Sequence, residues 1–307
     1  MMTMEPDASA LQLEISTLRE QLAHLERSNA EFQRETQTAV ATRNSSESTK
    51  KSMQNALDAQ RKQLGLISNV IMSMLPQNYA PVAGLEISAH CRPCADVGGD
   101  FYDVVPLKDG RVALLMADVA GHGAIAAISM ATTRTLMRAA LSEATAETTP
   151  ADIIFRVSTW FQVEYSEDKF VTAWLGIWDQ QSGVLSYSSA GHPAAVVWSV
   201  EDADPKYLPT EPAFPLGIAG VDPERPPVHE VDLAVGDRVF LYTDGWNESA
   251  SDSGEFLTDE TFLQFLANSA GQPVPHAPLL LFTEFERHAA NSRIRDDISL
   301  MVFDRVR

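Results

Sequence analysis

Three apolar stretches of this chain carry carboxylates at one end, and that arrangement constrains its fold more than any other feature. Val112-Ala113-Leu114-Leu115-Met116-Ala117 runs into Asp118 and the glycine-rich loop Val119-Ala120-Gly121-His122-Gly123. Arg238-Val239-Phe240-Leu241-Tyr242-Thr243 ends on Asp244 and Gly245, and Ile298-Ser299-Leu300-Met301-Val302-Phe303 follows Asp296-Asp297. Apolar runs of this length, bounded by turn residues, predict strands buried on both faces. Burying a carboxylate at the end of such a strand costs several kcal/mol if nothing compensates it, by an order-of-magnitude estimate. In antiparallel neighbours the end of one strand lies beside the start of the next. Asp118, Asp244, Asp296 and Asp297 can therefore meet at one rim, with Asp100 and Asp103 of the segment Gly98-Gly99-Asp100-Phe101-Tyr102-Asp103 joining them. Either their pKa values rise or a cation sits between them. Hard oxygen donors favour Mg²⁺ or Mn²⁺. Two cations about 3.5–4 Å apart would suit the rim and would activate a water for in-line attack on phosphorus. For any one of these aspartates alone, the alternative is an ordinary exposed turn residue.

The remaining elements fit around these strands. Leu85 to His90 alternates and opens the domain. Lys108-Asp109-Gly110-Arg111 turns a hairpin into the Val112 strand. Helices are expected from Ala124 to about Ser142 and from Pro150 to about Tyr165, the second with Pro150 and Asp152 suited to a first turn. Strands follow at Phe170–Trp178, Val184–Tyr187, Ala195–Trp198 and Val228–Leu233, and helices near Asp259–Ala267 and Ala277–Ala290. Residues 205–227 are proline-rich and read as an irregular flap. Consecutive strands joined by short turns imply antiparallel sheets, with the helices in pairs.

The N-terminal arm has a different period. Leu11, Ile15, Leu18, Leu22, Leu25, Asn29 and Phe32 fall at heptad steps, with Leu11 at d and Ile15 at a. Asn29 then takes an a position, where a single Asn fixes register and favours a parallel dimer. The frame weakens through Thr36, Ala39, Arg43, Ser46 and Lys50 and recovers without a slip at Met53, Leu57, Gln60, Leu64, Ile67, Ile71 and Met74. We read one long, interrupted coiled coil, with Asn44-Ser45-Ser46-Glu47-Ser48 as the candidate break; a monomeric helix folded back on the domain is the alternative. Pro76 closes the helix. Leu66, Val70, Met72 and Leu75 lie outside a and d and are expected to pack on the following domain. The domain boundaries expected are a disordered N-terminus at 1–10, a dimerising and regulatory helix at 11–75, a linker at 76–82 and a globular domain at 83–307.

Charge narrows the partners. A net charge of -19 opposes binding to phosphate backbones and to anionic membrane surfaces, so neither nucleic acid nor a membrane is expected. The N-terminus is too polar and acidic for a signal peptide, no apolar run is long enough to span a bilayer, and there are only 2 cysteines; this reads as a cytoplasmic protein. Cys91 and Cys94 form a C-x-x-C that lacks the second motif of a zinc site and the setting of a redox motif, so both read as plain cysteines at a strand end.

Six segments in this order resemble the metal-dependent protein phosphatases of the PPM (type 2C) superfamily, in its bacterial SpoIIE/RsbU-like branch. They are Gly98–Asp103, Asp118–Gly123, Phe170-Val171-Thr172, Ala190-Gly191-His192-Pro193, Tyr242-Thr243-Asp244-Gly245-Trp246-Asn247-Glu248 and Asp296-Asp297-Ile298-Ser299-Leu300. The resemblance implies an α/β fold of two antiparallel sheets sandwiched between helix pairs, with two Mn²⁺ or Mg²⁺ ions at one edge. It implies that Asp100 and Asp118 bridge the ions, that the Val119 carbonyl is a further ligand, and that Asp244 with Asp296 or Asp297 completes the shell. Asp103 would support the ligands, and His122 falls where relatives carry a histidine acting as general acid, with a solvent-facing loop histidine as the alternative. The implied activity is hydrolysis of a phosphoserine or phosphothreonine protein by direct attack of a metal-bound hydroxide. The implied substrate is a small STAS-type antagonist of an anti-sigma factor. A parallel homodimer through the coiled coil and an upstream regulatory protein are the other partners expected. The alternative is a catalytically silent scaffold that binds a phosphoprotein. Two departures stand out: Ser189 replaces an expected Asn, and the nearest arginine before the first aspartate is Arg92, at the wrong spacing for the phosphate-binding arginine of eukaryotic members.

Overall fold

A computed structural model describes residues 8–76, 81–95, 97–121, 123–164, 170–248, 256–289, 294 and 296–307. The chain divides into two units, residues 1–63 and 64–307. Helix α1 runs from Ala8 to Met74 as 67 continuous residues, so the Asn44–Ser48 segment does not break it. Within the first unit the heptad residues Leu22, Leu25, Phe32, Met53 and Leu57 are all exposed, between 42% and 75%. Within the second, the last turn of α1 closes on the core. Ile71 and Leu75 are buried and Met72 and Met74 pack against them, whereas Leu66 and Val70 stay exposed. The expected packing of this helix therefore holds for its last turn and fails one turn earlier.

The domain strands are β1 (Leu85–Arg92), β2 (Phe101–Pro106), β3 (Val112–Val119), β4 (Val171–Asp179), β5 (Val184–Ala190), β6 (Val196–Trp198), β7 (Pro205–Tyr207), β8 (His229–Asp232), β9 (Arg238–Tyr242) and β10 (Ile298–Arg305). They form two five-stranded sheets, β1-β10-β9-β6-β7 and β2-β3-β4-β5-β8, in which each of these strands runs antiparallel to its neighbours. Helices α2 (Ala124–Ser142) and α3 (Pro150–Glu164) cover the second sheet. Helices α5 (Asp259–Ser269) and α6 (Ala277–Ala289) cover the first, and the one-turn α4 (Gly245–Glu248) follows β9.

The strand period explains the layering. On β9 and β10, Val239, Leu241, Met301 and Phe303 face the core between the sheets, while Phe240, Tyr242, Leu300 and Val302 face α5 and α6. Both faces of these strands are covered, which is why their sequences run apolar without alternation. Helix α3 starts on a reciprocal cap: the Asp152 amide donates to Thr149 Oγ1 (3.2 Å) and the Thr149 amide donates to Asp152 Oδ2 (3.1 Å). Pro150 sits at its first position, where no amide hydrogen is needed. The proline-rich stretch is less irregular than its composition implies. Pro205–Tyr207 pairs with β6, with Val196 opposite Tyr207. A proline is tolerated there because β7 is the edge of its sheet.

Candidate active site

The expected rim exists at the strand ends. Asp118 is the second-last residue of β3, paired with Thr172 on β4. Asp100 immediately precedes β2, Asp244 follows β9 by two residues, and Asp296 and Asp297 lead into β10. Each sheet thus contributes acids to the same end of the sandwich. Asp100 is 3% exposed and Asp297 2%. Burial raises the Asp100 carboxyl well above its ordinary range, and the charges of Asp118 and Asp297 raise it further. Asp118 is pushed up to about 7 by burial, then by Asp244 and Asp296. Asp244 is also raised, by burial and then by Glu248. These shifts require the carboxylates to be close and under-compensated, the condition that a cation relieves. The donors are hard oxygens, so the residues fit Mg²⁺ or Mn²⁺.

Backbone contacts explain why the glycines belong in these motifs. Asp297 Oδ1 accepts from the Cys94 amide (2.8 Å) and Oδ2 from the Gly99 amide (2.6 Å). Its carboxylate therefore straps the segment that leads from β1 to β2. A Cβ on Gly99 would stand 2.6 Å from the Val119 carbonyl oxygen, and one on Gly245 would collide with the backbone of Asp297. The Val119 carbonyl thus lies against the loop that carries Asp100.

Thr243 plays a part that the sequence did not reveal. Its Oγ1 donates to Asp100 Oδ2 (2.8 Å) and accepts from the Ser299 amide (2.9 Å), tying the first sheet to an aspartate of the second. The available signal was a hydroxyl next to an aspartate at the end of an apolar strand. Thr243→Val should lower Mn²⁺ affinity by about 10–100-fold, with Thr243→Ser retaining it. Titration calorimetry with Mn²⁺ checks this.

His192 is buried with Nδ1 2.9 Å from Thr172 Oγ1, so it braces the residue opposite Asp118. Burial pushes this imidazole down to about 3, so it stays neutral. Ser189 serves its loop fully: Oγ donates to the His192 carbonyl (3.0 Å) and accepts from the His192 amide (3.2 Å).

Asp103 does not join the rim. It is wholly buried and bound by Arg134 (3.0 Å) and Arg138 (2.6 and 2.7 Å) of α2. The strand period is the reason, because Asp103 lies on the face of β2 opposite to that of Asp100. Arg92 pairs with Glu286 on α6. His122 lies outside the described residues.

Paired antiparallel sheets between helix pairs, with acids gathered at one end, define the PP2C-type phosphatase fold. The SiaA-PP2C domain of Pseudomonas aeruginosa superposes with a TM-score of 0.70 at 24% identity, covering 81% of this chain and 98% of that one. The catalytic domain of PstP, solved with 2 manganese ions, has the same fold at 16% identity (TM-score 0.53). The model of the Stage II sporulation protein E (SpoIIE) family matches residues 108–306, and the chain belongs to that family. The phosphoserine phosphatase RsbU of Bacillus subtilis is 24% identical over 252 residues, covering 80% of this chain and 70% of RsbU. The RsbU and RsbW domains of Rv1364c from Mycobacterium tuberculosis match at 31% identity with a TM-score of 0.62, over 73% of this chain and 61% of that one. Protein IcfG of Synechocystis is 25% identical over 226 residues, so the match spans only 34% of that relative.

Proposed function

We propose that residues 83–307 form a metal-dependent phosphoserine/phosphothreonine protein phosphatase. The observation that carries this reading is the convergence of Asp100, Asp118, Asp244 and Asp296 at one end of the sandwich, with Asp100 raised by burial and the charges of Asp118 and Asp297, and Asp118 by burial and the charges of Asp244 and Asp296. Two Mn²⁺ or Mg²⁺ ions held there would supply an activated water for direct attack on phosphorus and neutralise charge on the transferred group. In this reading Asp100, Asp118, Asp244 and Asp296 would hold the ions, with the Val119 carbonyl as a further ligand. Asp297 is a positioning residue, because both its carboxylate oxygens already hold backbone amides. Thr243 orients Asp100. His122 is assigned to protonate the departing serine or threonine oxygen. With Arg92 paired to Glu286, recognition of the phosphate rests on the ions.

The proposed substrate is a small phosphorylated STAS-type protein. The family supports this, as do the name of the Bacillus relative and the pairing of RsbU and RsbW domains in the mycobacterial chain. Release of phosphate from such a phosphoprotein, with and without Mn²⁺, is the experiment that tests it. Turnover that is absent with Mn²⁺ bound would favour the scaffold. Among the described residues no helix is long and apolar enough to cross a membrane. We place the protein in the cytoplasm.

The exposed heptad residues of α1 support a parallel homodimer. Residues 11–75 would then act as a dimerising helix that carries a signal from an upstream regulatory protein. Deletion of residues 1–62 should convert a dimer to a monomer in sedimentation velocity and change the rate of phosphate release. An unchanged dimer with unchanged rate would sink this assignment.

A further inference from the structure

The proline-rich segment between β7 and β8 is seated beside the acidic rim. The Leu216 amide donates to the Val171 carbonyl and the Val171 amide to the Leu216 carbonyl, both at 2.9 Å. Val171 is in turn paired with Val119, next to Asp118. Leu216 therefore stands two strand spacings, about 10 Å, from Val119. A Cβ on Gly191 would lie 2.6 Å from Pro215 Cγ, so the base of the segment also abuts the loop of His192. The far end is pinned to α3. There Arg225 Nε donates to Asp152 Oδ1 (2.9 Å), and the guanidinium lies 4.7 Å from the centre of the Phe155 ring.

Residues 212–227, held at both ends, enclose with Ile154 and Ser158 of α3 a cavity of about 230 Å³. Its walls are apolar, built from Leu216, Ile218, Val221 and five prolines, with Phe214 left 63% exposed. Prolines fix the backbone, so the cavity is formed before anything enters and filling it costs little ordering. Its charged lining is Asp222 and Glu224, both exposed, and Arg225, which Asp152 neutralises. An apolar cavity with a net negative border suits an apolar side chain that has a cation beside it.

We propose that this cavity is a second recognition point for the protein substrate. It takes an aliphatic or aromatic side chain about three residues from the phosphoserine, with a Lys or Arg next to it facing Asp222 and Glu224. The spacing follows because an extended chain advances about 3.3 Å per residue, and three residues span the distance from the rim. The inference rests on the phosphatase reading, which puts the phosphoserine at the rim. It also supplies what that reading lacks. A phosphate held by ions alone is common to every phosphoprotein, so discrimination among them has to come from outside the rim.

Synthetic phosphoserine peptides test this, with para-nitrophenyl phosphate as a substrate too small to reach the cavity. Leu is placed three residues before or three residues after the phosphoserine, with Lys beside it. One of the two placements should lower KM by about tenfold relative to Ala and leave kcat nearly unchanged. Ser158→Phe, which fills the cavity from α3, should erase this difference. Asp222→Lys combined with Glu224→Lys changes only exposed side chains and should reverse the preference for Lys over Glu beside the Leu. Neither variant should alter turnover of para-nitrophenyl phosphate. Equal KM for the Leu and Ala peptides in the wild type would overturn the inference, as would a Leu preference that survives Ser158→Phe. Either result alongside intact Mn²⁺-dependent turnover of para-nitrophenyl phosphate overturns the cavity alone. Absence of all Mn²⁺-dependent turnover is the failure of the phosphatase reading, and fluorescence anisotropy of the labelled Leu and Ala peptides then still decides the cavity: tighter binding of Leu upholds it and equal binding overturns it.

Discussion

Asp118→Asn will abolish Mn²⁺-dependent phosphate release, by about a thousandfold or more, and will at the same time stabilise the metal-free protein. The two effects share one cause. Burial, and then the charges of Asp244 and Asp296, lift Asp118 to about 7, against a hydrogen bond with Asp100 that lowers it. An unfolded aspartate titrates near about 3.9. Between those values the folded protein holds a proton that the unfolded chain has released, so stability falls as pH rises through the window. Above about pH 7 the destabilisation is complete, on the order of 2–4 kcal/mol. Asn carries no charge and escapes it. Chemical denaturation in the presence of a chelator should show the variant more stable than wild type at pH 8, with the difference gone near pH 4. Added Mn²⁺ should raise the melting temperature of the wild type and leave that of the variant nearly unchanged. A variant less stable than wild type at pH 8 would mean that the rim is not electrostatically strained.

Trp246→Ala will have the largest effect on folding. The indole is fully buried and lies against Phe282 and Phe285 at ring separations of 5.1 and 4.9 Å. Its Nε1 donates to the Ser299 carbonyl on β10 (3.0 Å). Truncation opens a cavity between α4, α5 and α6 and should cost about 3–5 kcal/mol. Because Trp246 follows Asp244 by two residues, it also anchors the turn that carries this acid, and Mn²⁺ affinity should fall with stability. Trp246→Phe keeps most of the packing. The Ser299 carbonyl still accepts from the Thr243 amide (3.2 Å), so that variant should lose only about 1–2 kcal/mol. Urea titration of the two variants separates packing from hydrogen bonding.

The sequence revealed the rim because buried strands and charges obey different rules, and Asp118, Asp244 and Asp296 violate the first in order to satisfy the second. Strand positions were legible for the same reason, down to the two-sided burial of β9 and β10. What stayed hidden depended on side-chain direction. Asp103 looks like Asp100 in the sequence, yet strand alternation turns it toward Arg134 and Arg138. Asp297 looks like Asp296, yet its oxygens are consumed by backbone amides. Thr243 and Cys94 lie far in sequence from Asp100 and Asp297, and spacing carries no trace of such long-range pairs. The edge strand β7 was missed because proline content masks an edge position where proline does no harm.

The acids at the rim come from both sheets: Asp100 and Asp118 belong to one, and Asp244, Asp296 and Asp297 to the other. On the proposed reading, an ion bound there is a clasp across the open end of the sandwich. The opposite end is crossed by contacts that need no metal, the Trp178 Nε1 donating to the Ala83 carbonyl (3.2 Å) and Arg305 pairing with Asp232 (3.8 Å), so metal removal should loosen the structure asymmetrically. Amide exchange would then quicken at the Thr243 and Asp100 end while the far end stays protected. A clasp of this kind makes catalytic competence a gauge of the gap between the layers. On that reading, whatever slides one sheet against the other would change the grip on the ion without touching any of the residues that hold it.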